Sequence, residues 1–426
     1  MSFESLCVLG LGYIGLPTAS TFATHGINVV GVDTNTRIVE SLNNGHVHLF
    51  EPGLRTLVQA AIGSKNLTIQ SAPQKADAFI IAVPTPFKEE KSADLSYVVS
   101  AAEAIVPFLE KGNLVILEST SPPRTTVDIV APILEKSGLK AGADFHLAYS
   151  PERVLPGQIL RELIENARVI GGIDSESSEA GKALYGIFVR GEIILTDATT
   201  AEMVKLMENT YRDINIAAAN EFSRLAARFE VDIWEAIDIA NLHPRVKILK
   251  PGPGVGGHCI SVDPWFFVEA APDVAKLIHS ARLVNDGQPQ FVVSSLSAAA
   301  GSLKGKRIAA LGLAYKPNVD DLRESPAIEV VKELVAAGSK VSVYEPYDTD
   351  HAIPGAITCT SLAEAAKDAN IILLLVPHTQ LTAIKPEQIN NLAQNAIIFD
   401  TVNGWDRAEW KQAGFSYSRL GDGKNR

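Results

Sequence analysis

Short apolar runs alternate with amphipathic stretches from the first residues onward: CVLGLG (7–12), a helical stretch, NVVGVD (28–33), then AFIIAVP (78–84) and LVILES (114–119). Runs of this length, closed by Gly, Pro or a polar residue and separated by helix-length segments, predict buried strands of a parallel sheet. The pattern returns after residue 305 as KRIAALGLAYK, a helical stretch from Pro326 to Ala337, KVSVYE, a second helix, NIILLLVPHT and AIIFDTVN. Even the strand ends correspond, IIAVPTP (80–86) matching LLLVPHT (373–379). The expected fold is α/β, with two Rossmann-like, doubly wound parallel-sheet domains, whose strand ends face the ligand crevice.

Between these units the texture changes. Thr199-Thr200-Ala201-Glu202 has the form of a capping box, with Glu202 reaching back to the cap residue and a long helix following. Apolar residues at 204, 207, 211, 214, 218, 222, 225 and 229 mark one stripe over roughly eight turns. The stripe predicts a spine helix that packs into a core and takes a share in dimer formation. Asp263-Pro264 has the form of a cap and first turn of a further helix. The expected domains are 1–198, a small helical domain with the spine at 199–303, and 304–426, with Gly421–Arg426 as a frayed tail.

Composition narrows the function classes. At 426 residues and 46% hydrophobic, the chain exceeds what one core usually supports. A net charge of −11, from 38 basic and 49 scattered acidic residues, argues against nucleic-acid binding. No apolar run approaches membrane-spanning length, and no basic leader precedes the first strand. Three cysteines, Cys7, Cys259 and Cys359, cannot all pair, so a reducing, cytoplasmic setting is expected. No metal is called for.

Two glycine-rich segments carry the chemistry. Gly10-Leu11-Gly12-Tyr13-Ile14-Gly15 follows a strand and opens a helix, the arrangement in which glycines admit a pyrophosphate to a helix N-terminus. Asp33 closes the second strand 23 residues after Gly10, where a carboxylate accepts from ribose hydroxyls and repels a 2′-phosphate. That favours NAD over NADP, although Arg37 stands nearby. The second unit offers only Gly312 at the corresponding turn, followed by Glu345, Asp348 and a cluster of Lys316, Arg323 and Glu324. Its turn cannot hold a pyrophosphate in the same way, so it binds another group or simply packs. Pro251-Gly252-Pro253-Gly254-Val255-Gly256-Gly257-His258-Cys259 sets four glycines before a thiol. Glycines let a ligand approach and expose N–H groups that favour a thiolate. A thiol gives a nicotinamide enzyme a way to carry an aldehyde on to an acid, because the thiohemiacetal has a second hydride to lose. The thioester so formed must then be cleaved by a positioned water.

The GxGYxG start, TAEMVKLMENTYRDINIAAANE (200–221), GPGVGGHCISVDP and GLAYKPNVDDLRESP (312–326) occur in the order seen in the UDP-glucose/GDP-mannose dehydrogenase family, which the chain resembles over essentially its whole length. The resemblance implies NAD-dependent, four-electron oxidation at C6 of a UDP-N-acetylhexosamine, N-acetylmannosamine first, with N-acetylglucosamine or glucose as alternatives. It implies Cys259 as nucleophile, Asp263 handling protons on a water, and Lys205 and Asn209 donating to a developing oxyanion. It further implies Thr120 beside nicotinamide and water, and Glu152 in thioester hydrolysis. Gly10, Gly12, Tyr13, Ile14, Gly15, Asp33, Arg37, Thr85, Thr120 and Arg323 would contact the cofactor. Glu152, Arg153, Val154, Lys205, Asn209, Arg212, His243, Gly254, Gly256 and Lys316 would contact the UDP sugar, with the last domain holding its UDP part. Arg245 would reach the sugar site of a neighbouring subunit in a homodimer. Members acting on simple hexoses carry SPEFLREG; here Pro156 takes the place of the second acid, so Glu152 is expected to act without that neighbour. The rival of another class, a silent nucleotide-sugar or NAD sensor, has no use for a thiol beside a water-handling carboxylate.

Overall fold

Eight strands, β1 (Ser5–Leu9), β2 (Asn28–Val32), β3 (Leu67–Gln70), β4 (Ala78–Ile81), β5 (Leu114–Leu117), β6 (His146–Tyr149), β7 (Arg168–Gly172) and β8 (Ile193–Asp197), form one sheet in the order β3-β2-β1-β4-β5-β6-β7-β8. These positions come from a computed structural model, which describes residues 2–88, 91–155 and 157–425. Strand β1 lies parallel to both β2 and β4, with Leu6 opposite Val29 and Ala78, so the strand order reverses there. Only β7 turns antiparallel to its neighbour β6. Alternate residues feed opposite faces: Leu6 and Val8 enter one hydrophobic cluster, Cys7 and Leu9 another. Burial on both faces is why the strands read as unbroken apolar runs.

The second sheet has six strands, β9 (Arg307–Leu311), β10 (Lys340–Tyr344), β11 (Ala356–Thr358), β12 (Ile371–Leu374), β13 (Ile397–Asp400) and β14 (Ser416–Arg419), ordered β11-β10-β9-β12-β13-β14. All its pairings are parallel. The α/β fold class read from the sequence therefore holds, each sheet belonging to one of two compact units. The first unit is Met1–Glu208 with Trp265–Pro272; the second is Asn209–Pro264 with Asp273–Arg426. Among the described residues no helix is long and apolar enough to cross a membrane.

Three sequence-based expectations need correction. The long helix, Ala198–Arg228, does form, but of its apolar stripe Val204 packs on a core cluster while most of the rest does not. Met207 (55% exposed), Tyr211 (71%) and Phe229 (67%) face outward, as do Phe222 and Leu225. The buried positions combine Leu206 and several alanines with the polar Thr210, Asp213, Asn220 and Ser223. Buried Asp213 accepts through Oδ1 from Arg282 (2.5 Å) and Asn285 (2.8 Å). The capping box is also absent. Asp197 caps the helix through Thr200 N (2.9 Å) and Thr200 Oγ1 (2.6 Å), while buried Glu202 accepts from Thr126 N (2.8 Å) and Arg124 N (2.5 Å). Finally, the described part of the tail is anchored at Asp422 and Gly423, Arg426 lying outside the described residues. Gly423 N donates to Val231 O (2.8 Å), and Asp422 pairs with Arg407 (3.0 Å).

Candidate active site

In the first unit the candidate residues line up along the C-terminal edge of the sheet. From β2 to β6 these strand ends carry Asp33, the Gly10–Gly15 turn, Thr85, Thr120 and Glu152, in the spatial order β2-β1-β4-β5-β6. Gly10 has φ +95°, and a Cβ there would sit 2.5 Å from Ala82 O; a Cβ on Gly15 would sit 1.8 Å from Gly10 O. Both positions therefore admit only glycine. A Cβ on Gly12, by contrast, would meet nothing within 4 Å, so this turn opens on a cradle that a side chain would fill. Tyr13 is exposed and Ile14 half-buried at the lip of the helix Gly15–Thr24. Asp33 accepts from Leu11 N (3.0 Å) and Asn35 N (2.8 Å), which aims its carboxylate and leaves lone pairs for ribose hydroxyls. Arg37 is exposed in the next helix, Thr36–Asn43. The residues present fit a dinucleotide.

The loop after β6 is tied down at several points. Glu152 Oε1 accepts from Arg153 N (2.7 Å), and Oε2 pairs with the guanidinium of Arg168. Arg153 pairs with Glu208 at 2.7 Å, and Val154 packs on the first core cluster. Pro156 lies outside the described residues. Glu51, which the sequence reading passed over, is buried and accepts from Gly157 N (2.7 Å) and Ile159 N (2.8 Å). It fixes the far end of the loop and caps the helix Ile159–Glu165. Glu152 is not without a carboxylate neighbour either, since Glu118 shares Arg168 at 3.2 Å. Lys205 stands half-buried on the long helix, in the same unit.

In the second unit the cysteine loop packs against the loop after β9. Gly257 N donates to Arg323 O (3.1 Å). A Cβ on Gly256 would lie 2.4 Å from Glu324 O, one on Gly257 2.8 Å from the Tyr315 ring, and one on Gly254 2.8 Å from Pro326. These glycines thus permit loop-to-loop packing, a different role from opening the backbone to a ligand. Cys259 O accepts from Val262 N (3.0 Å) and Asp263 N (2.8 Å), a turn that leads into the helix Asp263–Ala270. Asp263, buried, accepts from Asn209 Nδ2 at 2.5 Å, so these two predicted residues do meet. The start of the loop is held by Asn220, which accepts from Gly252 N (3.0 Å) and donates to Asn285 Oδ1 (2.9 Å). Sequence reading missed this pair, although buried polar residues in a helix must find partners.

Arg323 forks onto Asp321 (2.9 and 2.7 Å), and Lys316 Nζ lies 5.5 Å from the Tyr315 ring centre. Burial pushes the Tyr315 phenol up to about 12, with the charges of Asp321 and Cys259 adding to the rise. Arg212 is exposed on the long helix, three residues beyond Asn209. His243 accepts from Arg245 N (3.3 Å) on an exposed loop whose ends Asn241 staples to Ile248 (3.0 and 2.7 Å). The structure thus groups Cys259, Asp263 and Asn209 directly, and leaves His243 and Arg245 on their own loop.

The second sheet repeats the acid of the first with a different outcome. Glu345 accepts from Leu313 N (2.6 Å) and Tyr347 N (3.0 Å), as Asp33 does from Leu11 and Asn35. It is fully enclosed, however, and His378, beyond β12, bonds it through Nε2 at 3.0 Å. Since Nδ1 accepts from Asn318 N (2.8 Å), the imidazole is the neutral form that donates Nε2–H to Glu345. This acid is therefore closed to a ribose, which agrees with the missing glycines.

The sequence matches three models of the UDP-glucose/GDP-mannose dehydrogenase family: its NAD binding domain over residues 4–189, its central domain over 199–287 and its UDP binding domain over 309–407. The chain is 51% identical to a UDP-N-acetyl-D-mannosamine dehydrogenase of Methanocaldococcus jannaschii, covering 99% of this chain and 97% of that one. It is 48% identical to an NDP-N-acetyl-D-galactosaminuronic acid dehydrogenase of Ralstonia nicotianae, covering 95% and 97%. Its fold is similar to the solved UDP-D-ManNAc dehydrogenase of Pyrococcus horikoshii, with a TM-score of 0.91 at 39% identity over 99% of this chain and 100% of that one. Together with the glycine cradle and Asp33, these matches place the chain in the UDP-glucose/GDP-mannose dehydrogenase family, as an NAD-dependent nucleotide-sugar dehydrogenase.

Proposed function

We propose that this enzyme oxidises the C6 primary alcohol of UDP-N-acetylmannosamine to the carboxylate, through a thiohemiacetal and a thioester on Cys259. The observation that carries the reading is the Asn209–Asp263 contact at 2.5 Å, four residues along from the thiol. A buried carboxylate oriented by an amide is what a water-handling group needs. Relatives named for N-acetylmannosamine support the sugar. The 48% identical relative named for N-acetylgalactosaminuronic acid favours an N-acetylgalactosamine nucleotide as the second reading.

The Gly10–Gly15 turn and Asp33 would hold NAD, with Arg37, Thr85, Thr120 and Arg323 as further contacts, and when bound the cofactor would supply the hydride acceptor for both oxidations. The chain supplies the rest. Lys205 and the second N–H of Asn209 stabilise the alkoxide and later oxyanions. Sγ of Cys259 bonds to C6 of the aldehyde, and loss of hydride and proton leaves the thioester. Water, oriented by Asp263 and Thr120, adds its oxygen to C6 with help from Glu152. The C6–Sγ bond breaks and the thiol regains its proton. Arg153, Val154, Arg212, His243, Gly254, Gly256 and Lys316 bind the UDP sugar.

A homodimer belongs to the same reading, supported by the outward Tyr211, Phe222, Leu225 and Phe229, with Arg245 directed to the neighbouring copy's sugar. We read the setting as cytoplasmic, since no disulfide joins the three cysteines. The direct test is NADH formation from equal concentrations of UDP-N-acetylmannosamine, UDP-N-acetylglucosamine, UDP-N-acetylgalactosamine and UDP-glucose. The first is expected to give the highest kcat/KM; a tenfold preference for another sugar overturns the assignment.

A further inference from the structure

Behind Glu152, inside the first unit, lies a buried ionic cluster that the scheme above does not use. Arg168, at the start of β7, directs Nη1 to Glu118 Oε1 (3.2 Å) and Ser150 Oγ (3.0 Å), and Nη2 to Glu152 Oε2. Its guanidinium carbon lies 4.1 Å from the centre of the Tyr185 ring, and the Tyr185 hydroxyl donates to Glu118 Oε1 at 2.8 Å. Arg168 and Glu118 are both enclosed, and Glu118 Oε2 has no hydrogen-bond partner among the described residues. One guanidinium therefore serves two carboxylates, and of Glu118, Ser150, Arg168, Tyr185 and Glu152 only Glu152 is partly exposed.

A core held for stability alone has no need of this arrangement, because apolar side chains of equal volume do as well or better. One cation between two carboxylates does something apolar groups cannot, which is to make the charge on one carboxylate depend on the other. We propose that Glu118 is the second carboxylate of the hydrolytic site, acting through Arg168 as a positioning pair that orients Glu152. This rests on the reading of Glu152 as the group that assists hydrolysis of the Cys259 thioester. The acid that Pro156 displaces from the loop is thereby supplied from the residue that follows β5, two before Thr120.

Geometry fixes the direction of the effect. Glu118 and Glu152 compete for the same guanidinium, so charge on Glu118 weakens the hold of Arg168 on Glu152 and makes Glu152 a stronger proton acceptor. Burial pushes the Glu118 carboxyl up, Arg168 opposes the rise and Glu152 adds to it, so the charges of the two carboxylates are linked through the one guanidinium. The groups facing the pair are Arg168, Tyr185 and Ser150, with Arg153, itself paired to Glu208, beside Glu152. Glu118→Gln removes the competing charge but keeps the size. Arg168 then serves Glu152 alone, which weakens it as a base.

The test is pre-steady-state turnover of UDP-N-acetylmannosamine with NAD by the full chain, comparing the wild type, Glu118→Gln and Glu152→Gln across pH. In Glu118→Gln the burst of NADH is expected to persist while steady-state turnover falls roughly tenfold, less than the about 100- to 10,000-fold that base catalysis usually contributes, because Glu152 itself stays in place. Acyl-enzyme on Cys259 should accumulate, and the acid limb of turnover should move to lower pH. Tyr185→Phe removes a donor to Glu118 without changing charge, and should act on the same step if Glu118→Gln does not fold. A wild-type pH profile in Glu118→Gln, or burst and steady state reduced in equal proportion without acyl-enzyme, overturns the proposal. If Glu152→Gln hydrolyses the thioester at the wild-type rate, the reading of Glu152 fails and takes the proposal with it. If only Glu152→Gln accumulates acyl-enzyme, the pairing alone is wrong.

Discussion

Replacing Gly256 by alanine adds one methyl group where the cysteine loop meets the loop after β9. The new Cβ would lie 2.4 Å from Glu324 O and 2.7 Å from Pro326 Cδ, whereas contacts under 3.0 Å are essentially never tolerated. Glu324 offers a backbone oxygen, so no side chain can swing away. One loop must move by at least about 0.6 Å, the difference between 2.4 and 3.0 Å. Overpacking of this kind costs about 1–3 kcal/mol, and displacing a reacting group by about 1 Å costs on the order of 100-fold in rate. Because Cys259 is three residues further on, kcat is expected to fall roughly 10- to 100-fold. Gly252→Ala is the internal control. Its Cβ would meet nothing within 4 Å, and its N–H would still donate to Asn220. Steady-state NADH formation, thermal unfolding and the rate of Cys259 alkylation by iodoacetamide would be measured on both variants. Equal kcat in Gly256→Ala and Gly252→Ala would refute the argument that loop packing sets the thiol's position.

Two further outcomes follow from other parts of the fold. Burial pushes the Glu345 carboxyl up, but His378 and the N–H groups of Leu313 and Tyr347 outweigh it and hold it below its ordinary value of 4.5. A carboxylate lowered in the folded state contributes stability above its unfolded value and loses it as pH falls through the folded one. Calorimetric melting temperature should therefore drop more steeply below pH 4.5 in the wild type than in Glu345→Gln; parallel curves would remove the ionised Glu345–His378 contact from the account. In the proposed homodimer, Tyr211→Glu places a charge in the exposed stripe and is expected to yield monomers in sedimentation velocity where the wild type sediments as a dimer, while an unchanged dimer would exclude the stripe as its interface.

The sheets were legible in the sequence because burial on both faces leaves an unmistakable apolar run. The Gly10–Asp33 pair was equally legible, because a turn that excludes Cβ atoms and an acid at the next strand end leave few other residue choices. The long helix shows where pattern reading fails. The spacing of its apolar residues predicts a core-facing stripe, but periodicity reports only that one face differs from another, and here most of the stripe is exposed while polar residues such as Asp213, bonded by Arg282 and Asn285, share the buried positions with alanines and Leu206. Glu202 fitted a local capping box and was drawn instead to Thr126, 76 residues away, a contact with no trace in nearby sequence. Glu118 could have been found: an acid closing an apolar strand must have a buried partner, and Arg168 opens another apolar run, RVIGG. Glu51 had no such signal, since its partners are backbone N–H groups of a loop distant in sequence.

In the proposed reaction one thiol, that of Cys259, carries the sugar between two oxidations. Single-turnover reaction of the enzyme with UDP-N-acetylmannosamine and excess NAD, with NADH read by absorbance and Cys259 by mass spectrometry, tests it most directly. The account predicts two NADH per sugar, a uronate product and a transient acyl adduct on Cys259, with Cys259→Ala unable to reach the acid. One NADH per sugar from a Cys259→Ala variant as active as the wild type would contradict it.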